Sequence, residues 1–179
     1  SLFLLIILTI LFSFSWSKYN DKNLLSRVKI SDTKINKRTL YENYFNKILK
    51  SDSLSYPDYI NSIEEHPYIK TARISRHFPH KILIEIIERD PIVFLNNNPK
   101  IFLDEEGYVL PYQDNISKID LPIMTNVNPN QNLYPNGQKV LSKKVKECVS
   151  WLALINKNYK NLYNDISEIK MSSNDEIEI

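Results

Sequence analysis

Glycine is nearly missing from this sequence: among 179 residues it occurs only at Gly107 and Gly137. Phosphate-cradling loops of the G-x-G-x-x-G and P-loop kinds need several glycines close together, so nucleotide binding through such a loop is excluded. Cysteine is rarer still. Cys148 stands alone, which rules out an internal disulfide and leaves an oxidising compartment neither supported nor excluded. Histidine occurs only at 66, 77 and 80. His77 and His80 are three apart, but Pro79 lies between them and no cysteine or acidic pair completes a metal site. An excess of one charge is also missing. The 23 basic and 21 acidic residues leave a net charge of +2, without the clustered cationic surface that tracks nucleic-acid phosphates. No Ser/His/Asp or Cys/His grouping stands at a recognisable catalytic spacing, so an enzyme is not expected.

What is present is ordinary in bulk and specific in order. Apolar residues at 42% and charged residues at 25% are globular values, and the length allows one or two small domains with modest cores. The abundance of Asn, Lys, Ile and Tyr reads as genomic bias. The chain opens on an apolar run, LFLLIILTILFSFSW, with no charge before Lys18. Alone it is slightly short of the about 20 residues that span a bilayer. Because the chain starts inside the run, without an initiator Met, the expectation is a membrane anchor over 1–20 with further residues upstream. Trp16 and Tyr19 fit an interfacial aromatic belt. The competing expectation is a cleavable signal sequence, with Ser13-Phe14-Ser15 as its small-x-small site. Lys18, Lys22, Arg27 and Lys29 on the one visible flank mildly oppose an outside location and do not settle orientation.

Leu24 to Asp32 carries a short alternating strand centred on Val28 and Ile30. Asn36 to Lys50 reads as an amphipathic helix, with rows Leu40/Tyr44/Ile48 and Tyr41/Phe45/Leu49 at i/i+4 spacing. After a polar break, Ser55 is the expected N-cap of a second helix to about Glu65, with Pro57 and Asp58 in its first turn and Tyr59, Ile60 and Ile63 on its apolar side. Pro67 stops it. Ala72 and Ile74 then alternate with Thr71, Arg73 and Ser75. The tetrad His77-Phe78-Pro79-His80 turns the chain, and the isoleucine-rich Ile82 to Glu88 is the expected central strand. Glu88-Arg89-Asp90-Pro91 ends that pairing.

A second hairpin is expected between Pro99 and Pro111, turning at Asp104-Glu105-Glu106-Gly107. Those three acids are read as a solvated turn rather than an acid–base cluster. Tyr112 to Gly137 is expected to be a long irregular connection. Leu141 to Leu162 reads as one helix, burying Val145, Cys148, Val149, Leu152 and Ile155, with Lys143, Lys144, Lys146 and Lys157 lying mostly away from that face. Cys148 on this face is a core residue rather than a nucleophile. Ile166 to Met171 and Ile177 to Ile179 read as strands around a turn at 172–175, and the chain stops within the second, so truncation at both ends is expected.

The segment HPYIKTARISRHFPHKILIEIIERDPIVFL resembles the hallmark region of the FtsQ/DivIB family of bacterial cell-division proteins. It does so through Pro67, Ile69, Ala72, Ile74, Arg76, Pro79, Leu83, Ile84, Ile86, Glu88, Arg89, Pro91 and Ile92. FLDEEGYVLP resembles the family's later hairpin through Leu103, Asp104, Gly107 and Val109, and Leu121-Pro122-Ile123 resembles the motif that follows it. The likeness covers nearly the whole chain; Asp32-Thr33 stands where the family often has a glycine. It implies an α+β fold: a transmembrane helix over 1–20, a β-α-α-β-β POTRA domain over 24–94, and a β-domain over 95–179 whose last strands lie beyond this sequence. It further implies a scaffold of the division septum in the inner membrane, mostly extracytoplasmic, that binds membrane-bound division proteins of the FtsB/FtsL type. The lipid bilayer would hold the N-terminal helix, and no cofactor, metal, nucleic acid or small-molecule substrate is implied.

Arg76, Glu88, Arg89 and Pro91 are the residues expected at a partner-binding or interdomain surface. For Glu88 and Arg89 the plainer alternative is an ion pair or turn device that ends a strand. Binding is expected through exposed strand edges, to which a partner segment adds itself as another strand. The alternative function is a POTRA module of an outer-membrane assembly or secretion system, and an anchored hydrolase stands third.

Overall fold

The structure is a computed structural model; it describes all residues except 1, 23–27, 32, 37, 50–55, 78–80, 115, 117–118, 172–176 and 179. The expected N-cap Ser55 and the turns at 78–80 and 172–175 therefore lie outside the described residues. The chain is a mixed α+β fold with two sheets. Helix α1 runs from Leu2 to Lys22, and every side chain described in it, from 5 to 16, is exposed. Among the described residues no helix is long and apolar enough to cross a membrane.

The first sheet has the order β1-β3-β2, built from β1 (Val28–Ile30), β2 (Ile69–His77) and β3 (Lys81–Glu88). β3 is central, parallel to β1 (Val28 opposite Ile82) and antiparallel to β2 (Ile74 opposite Ile84). Its even-numbered residues Ile82, Ile84 and Ile86 point into the core with Ile30, Ala72 and Ile74, while Glu85 and Ile87 face solvent. Helices α2 (Arg38–Leu49) and α3 (Tyr56–Glu64) cover the inner face. Of the two apolar rows of α2, the inner one is Tyr41/Phe45, both fully buried, whereas Leu40 is 53% exposed.

The second sheet has the order β6-β5-β4-β7-β8-β9. Its strands are β4 (Pro91–Leu95), β5 (Ile101–Asp104), β6 (Val109–Pro111), β7 (Ile123–Thr125), β8 (Glu168–Met171) and β9 (Ile177–Glu178). β5 and β6 are the expected hairpin. β7 was not expected: it lies inside the connection read as irregular, is three residues long, and pairs in parallel with β4 and β8. Three residues are too few to show an alternation, and parallel partners lie far away in sequence.

One helix was expected over Leu141–Leu162; two form. α4 (Lys143–Asn158) ends at Tyr159, φ −136°, and α5 (Lys160–Asp165) follows. The break lets Tyr163 bury itself and donate its hydroxyl to the Ile92 carbonyl of β4 at 2.7 Å. Val145, Cys148, Val149 and Leu152 of α4 pack on Val93, Leu95, Leu103, Met124 and Ile169.

Candidate functional site at the junction of the two sheets

Strand parity decides how the chain leaves the first sheet. Glu88 continues the inward row of Ile84 and Ile86, so its carboxylate lands at the rim of the core, where it needs donors. The segment before α2 supplies them. Glu88 Oε2 accepts from the backbone N–H of Lys34 at 2.5 Å and of Ile35 at 2.9 Å. Oε1 accepts from the N–H of Asn36 at 3.0 Å and from the Tyr41 hydroxyl at 2.7 Å. Asn36 Nδ2 donates in turn to that hydroxyl. Burial, with the Glu88 charge adding to it, pushes the Tyr41 phenol well above its usual range. Glu88 therefore belongs to the first unit and clamps its connection from β1 to α2.

Arg89 points the other way. Its backbone N–H donates to the Tyr68 carbonyl at 3.0 Å, and its side chain crosses into the β5–β6 hairpin. There Nη1 reaches Asp104 Oδ2 at 2.7 Å and Glu106 at 3.5 Å, and the guanidinium lies 3.5 Å from the Tyr108 ring centroid. Arg89 is 8% and Asp104 2% exposed, so this is a buried ion pair with its remaining lone pairs satisfied. Asp104 Oδ1 accepts from the N–H of Glu106 and of Tyr108 at 2.9 and 2.8 Å, and Gly107 closes the turn at φ 81°. The reading of Asp104 as part of a solvated turn is thus corrected. A buried arginine needs a buried carboxylate, and Asp104, one strand step beyond the inward-facing Leu103, supplies it. Asp90 is exposed between the two arrangements. Pro91 is buried and opens β4 opposite Asp104, where a bulge follows.

Further contacts join the units. Tyr68, fully buried, donates its hydroxyl to the Pro111 carbonyl at 2.5 Å and packs with Phe102, Leu110 and Ile116. Lys70 pairs with Glu106 at 2.8 Å and Glu105 at 3.0 Å. Their hydrogen bonds raise the lysine pKa, and the Lys70 bond lowers that of Glu106. Gly137, at φ 71°, lies so close to Pro67 that an added Cβ would meet the ring at 3.4 Å.

The structure thus brings Glu88, Arg89 and Pro91 together and leaves Arg76 elsewhere. Arg76 stands opposite Ile82 near the other end of β2, seven residues and roughly 20 Å of strand from Ile69, and its side chain lies outside the described residues. Tyr68, Tyr108 and Lys70 were not singled out in the sequence, and Asp104 was named only as a turn and hairpin residue. For Asp104 a signal existed in its D-x-x-G spacing, the signature of an Asx-type turn.

The strand edges are unequal. The outer edge of β6 is covered: Val109 exchanges backbone bonds with Gln138 and Gly137 at 2.8 and 2.9 Å, and Val140 donates to Gly107 at 2.8 Å. β1, β2 and β9 are the remaining end strands in the sheet order. Of these, β2 is the longest at nine residues, and Glu64 caps its Ala72 N–H at 2.8 Å. Among the described residues no group of three His, Cys, Asp or Glu is placed to hold a metal ion. Burial pushes the Cys148 thiol up to about 11, which keeps it protonated and unsuited to attack.

Residues 26–89 match the family model described as POTRA domain, FtsQ-type. The chain is 30% identical over 148 residues to the cell division protein DivIB of Clostridium tetani, an alignment covering 69% of this chain and 54% of that protein. It is 34% identical over 109 residues to cell division protein FtsQ of Rickettsia bellii, covering 59% of this chain and 36% of that one. Against FtsQ of Syntrophotalea carbinolica it is 26% identical over 109 residues, covering 61% and 38%. The matched part spans about half the length of the first of these relatives and less of the others.

Proposed function

The chain belongs to the FtsQ/DivIB family of cell-division proteins, and from that premise we propose that it is a non-catalytic scaffold of the division machinery. In this reading α1 anchors it as a single span in the inner membrane, the remainder is extracytoplasmic, and membrane-bound division proteins of the FtsB/FtsL type dock on its two folded units at the septum. We set the boundary between a POTRA domain and a β-domain at Asp90 rather than after residue 94, a reading supported by Glu88 bonding within the first unit and by Pro91 already pairing in the second sheet. The parallel pairing of β1 with β3 supports the arrangement. Val28, next after α1, lies at the Ile82 end of β3, whereas the second unit leaves from the Glu88 end. The β-domain is thereby carried away from the anchor.

The observation that carries the proposal is the Arg89–Asp104 pair with its Tyr108 stack and the Tyr68–Pro111 bond. A scaffold that presents partners at a set spacing needs two units held at one angle, and a buried, fully satisfied charge pair has few alternative geometries. Docking proceeds by strand addition at sheet edges. The test is a fluorescent fusion in a depletion strain. The proposal expects filamentation on depletion and fusion signal gathered at midcell on re-expression. Even envelope fluorescence with normal division overturns it.

A further inference from the structure

Away from the junction, an open cleft of about 900 Å³ lies between β7, the start of α4 and β8. Val145 and Met171, both buried, line its depth together with the partly buried Leu133, and Leu141, 65% exposed, forms a lip. Every charged side chain lining it is a lysine, and all three, Lys143, Lys144 and Lys170, are exposed. The first turn of α4 has no acidic residue, and the Ser142 side chain makes no capping bond, so nothing in that turn offsets the positive end of the helix. Behind the cleft wall the buried Tyr134 ring sets its hydroxyl against the Ser142 side chain, whose hydrogen bond partly offsets the rise that burial gives the phenol pKa.

We propose that this cleft docks an acidic, partly apolar peptide segment of a partner protein, its carboxylates on Lys143 and Lys170 and an apolar side chain over Val145 and Met171. The volume suits a few residues rather than an inorganic ion. A bilayer is flat and would not reach the buried residues at the cleft's depth, which favours a peptide over an anionic lipid surface. A second copy of this chain would have to bring an acidic segment against the lysines. The inference rests on the scaffold reading and adds the chemistry of one partner segment to it.

The test uses the 179-residue chain in detergent and two labelled short peptides, one alternating Glu and Leu and one with Gln in place of Glu. Fluorescence anisotropy is expected to show saturable, salt-weakened binding of the Glu peptide, about tenfold tighter than that of the Gln peptide. Lys143→Glu combined with Lys170→Glu removes the preference at an unchanged melting temperature. Lys157→Glu, at the far end of α4, leaves it intact. If the double Glu variant folds poorly, Lys143→Gln with Lys170→Gln takes its place. Equal affinity for both peptides, no saturation, or full binding by the double variant overturns the proposal. So does phosphatidylglycerol-vesicle binding that the same variant loses while peptide binding is unchanged. Because binding is read in solution, a variant that binds peptide normally but fails to divide counts against the cleft and leaves the scaffold reading standing.

Discussion

Glu88 and Arg89 are neighbours with opposite charges, and the fold satisfies them in opposite ways. Glu88 is held by backbone N–H groups of Lys34, Ile35 and Asn36 and by a hydroxyl, all within its own unit. Arg89 is held by side chains of the other unit, Asp104 foremost. Backbone donors cannot be repacked or exchanged by mutation, so the Glu88 arrangement is a fixed part of one fold. Side-chain partners can be removed on either side, so the Arg89 arrangement is a joint between two folds. The pair teaches that a single peptide step can end one unit and bolt on the next.

The largest expected effect lies at the joint. Arg89→Met leaves Asp104 buried without its counter-ion and costs about 3–5 kcal/mol. Thermal unfolding should then split into two transitions, and adding Asp104→Leu should restore much of the loss; a single, unsplit transition would show that the joint does not couple the units. Within the first unit, Glu88→Gln keeps the shape but weakens charge-assisted bonds, for an expected loss of about 1.5–3 kcal/mol. That loss belongs to the first transition alone, which hydrogen exchange of α2 amides can check.

Tyr68→Phe removes one bond across the joint and leaves the Pro111 carbonyl to find another donor. About 1 kcal/mol is expected, read as a shift in urea midpoint. His66, wedged against Tyr41 and Tyr44, sharpens the comparison through pH. Burial lowers its pKa from the ordinary 6.5, partly opposed by Glu88. The unfolded chain therefore binds more protons in the window just below 6.5, so stability is complete above it and declines as pH falls through it. His66→Phe should flatten that slope in the first unit only. The smallest effect belongs to Lys70→Ala. Its pairs with Glu105 and Glu106 are largely solvated, and less than about 1 kcal/mol is expected, vanishing at high salt.

Legibility followed the length scale of the interaction. The alternation in β2 and β3, the central place of β3 and the hairpin at Gly107 were readable because each pattern repeats within a few residues. Expectation and structure part at the joint. Glu88 and Arg89 stood out by their position in the motif, yet the same residues were equally compatible with a plain strand terminator. Nothing local to Arg89 names Asp104, fifteen residues on, as the partner that buries it. Tyr159 gave no breaker signal, because its break serves a hydrogen bond from Tyr163 to Ile92, 71 residues away in sequence.

By itself the sequence determined the local elements, the scarcity of catalytic chemistry and the likeness to one family, since propensity, periodicity and motif spacing are properties of neighbouring residues. Only the tertiary structure decided three things: which carboxylate neutralises Arg89, which strand lies between β4 and β8, and where apolar depth and lysines converge beside α4. These depend on loop closure and on parallel pairing across long separations, where burial selects partners that no short window of sequence contains.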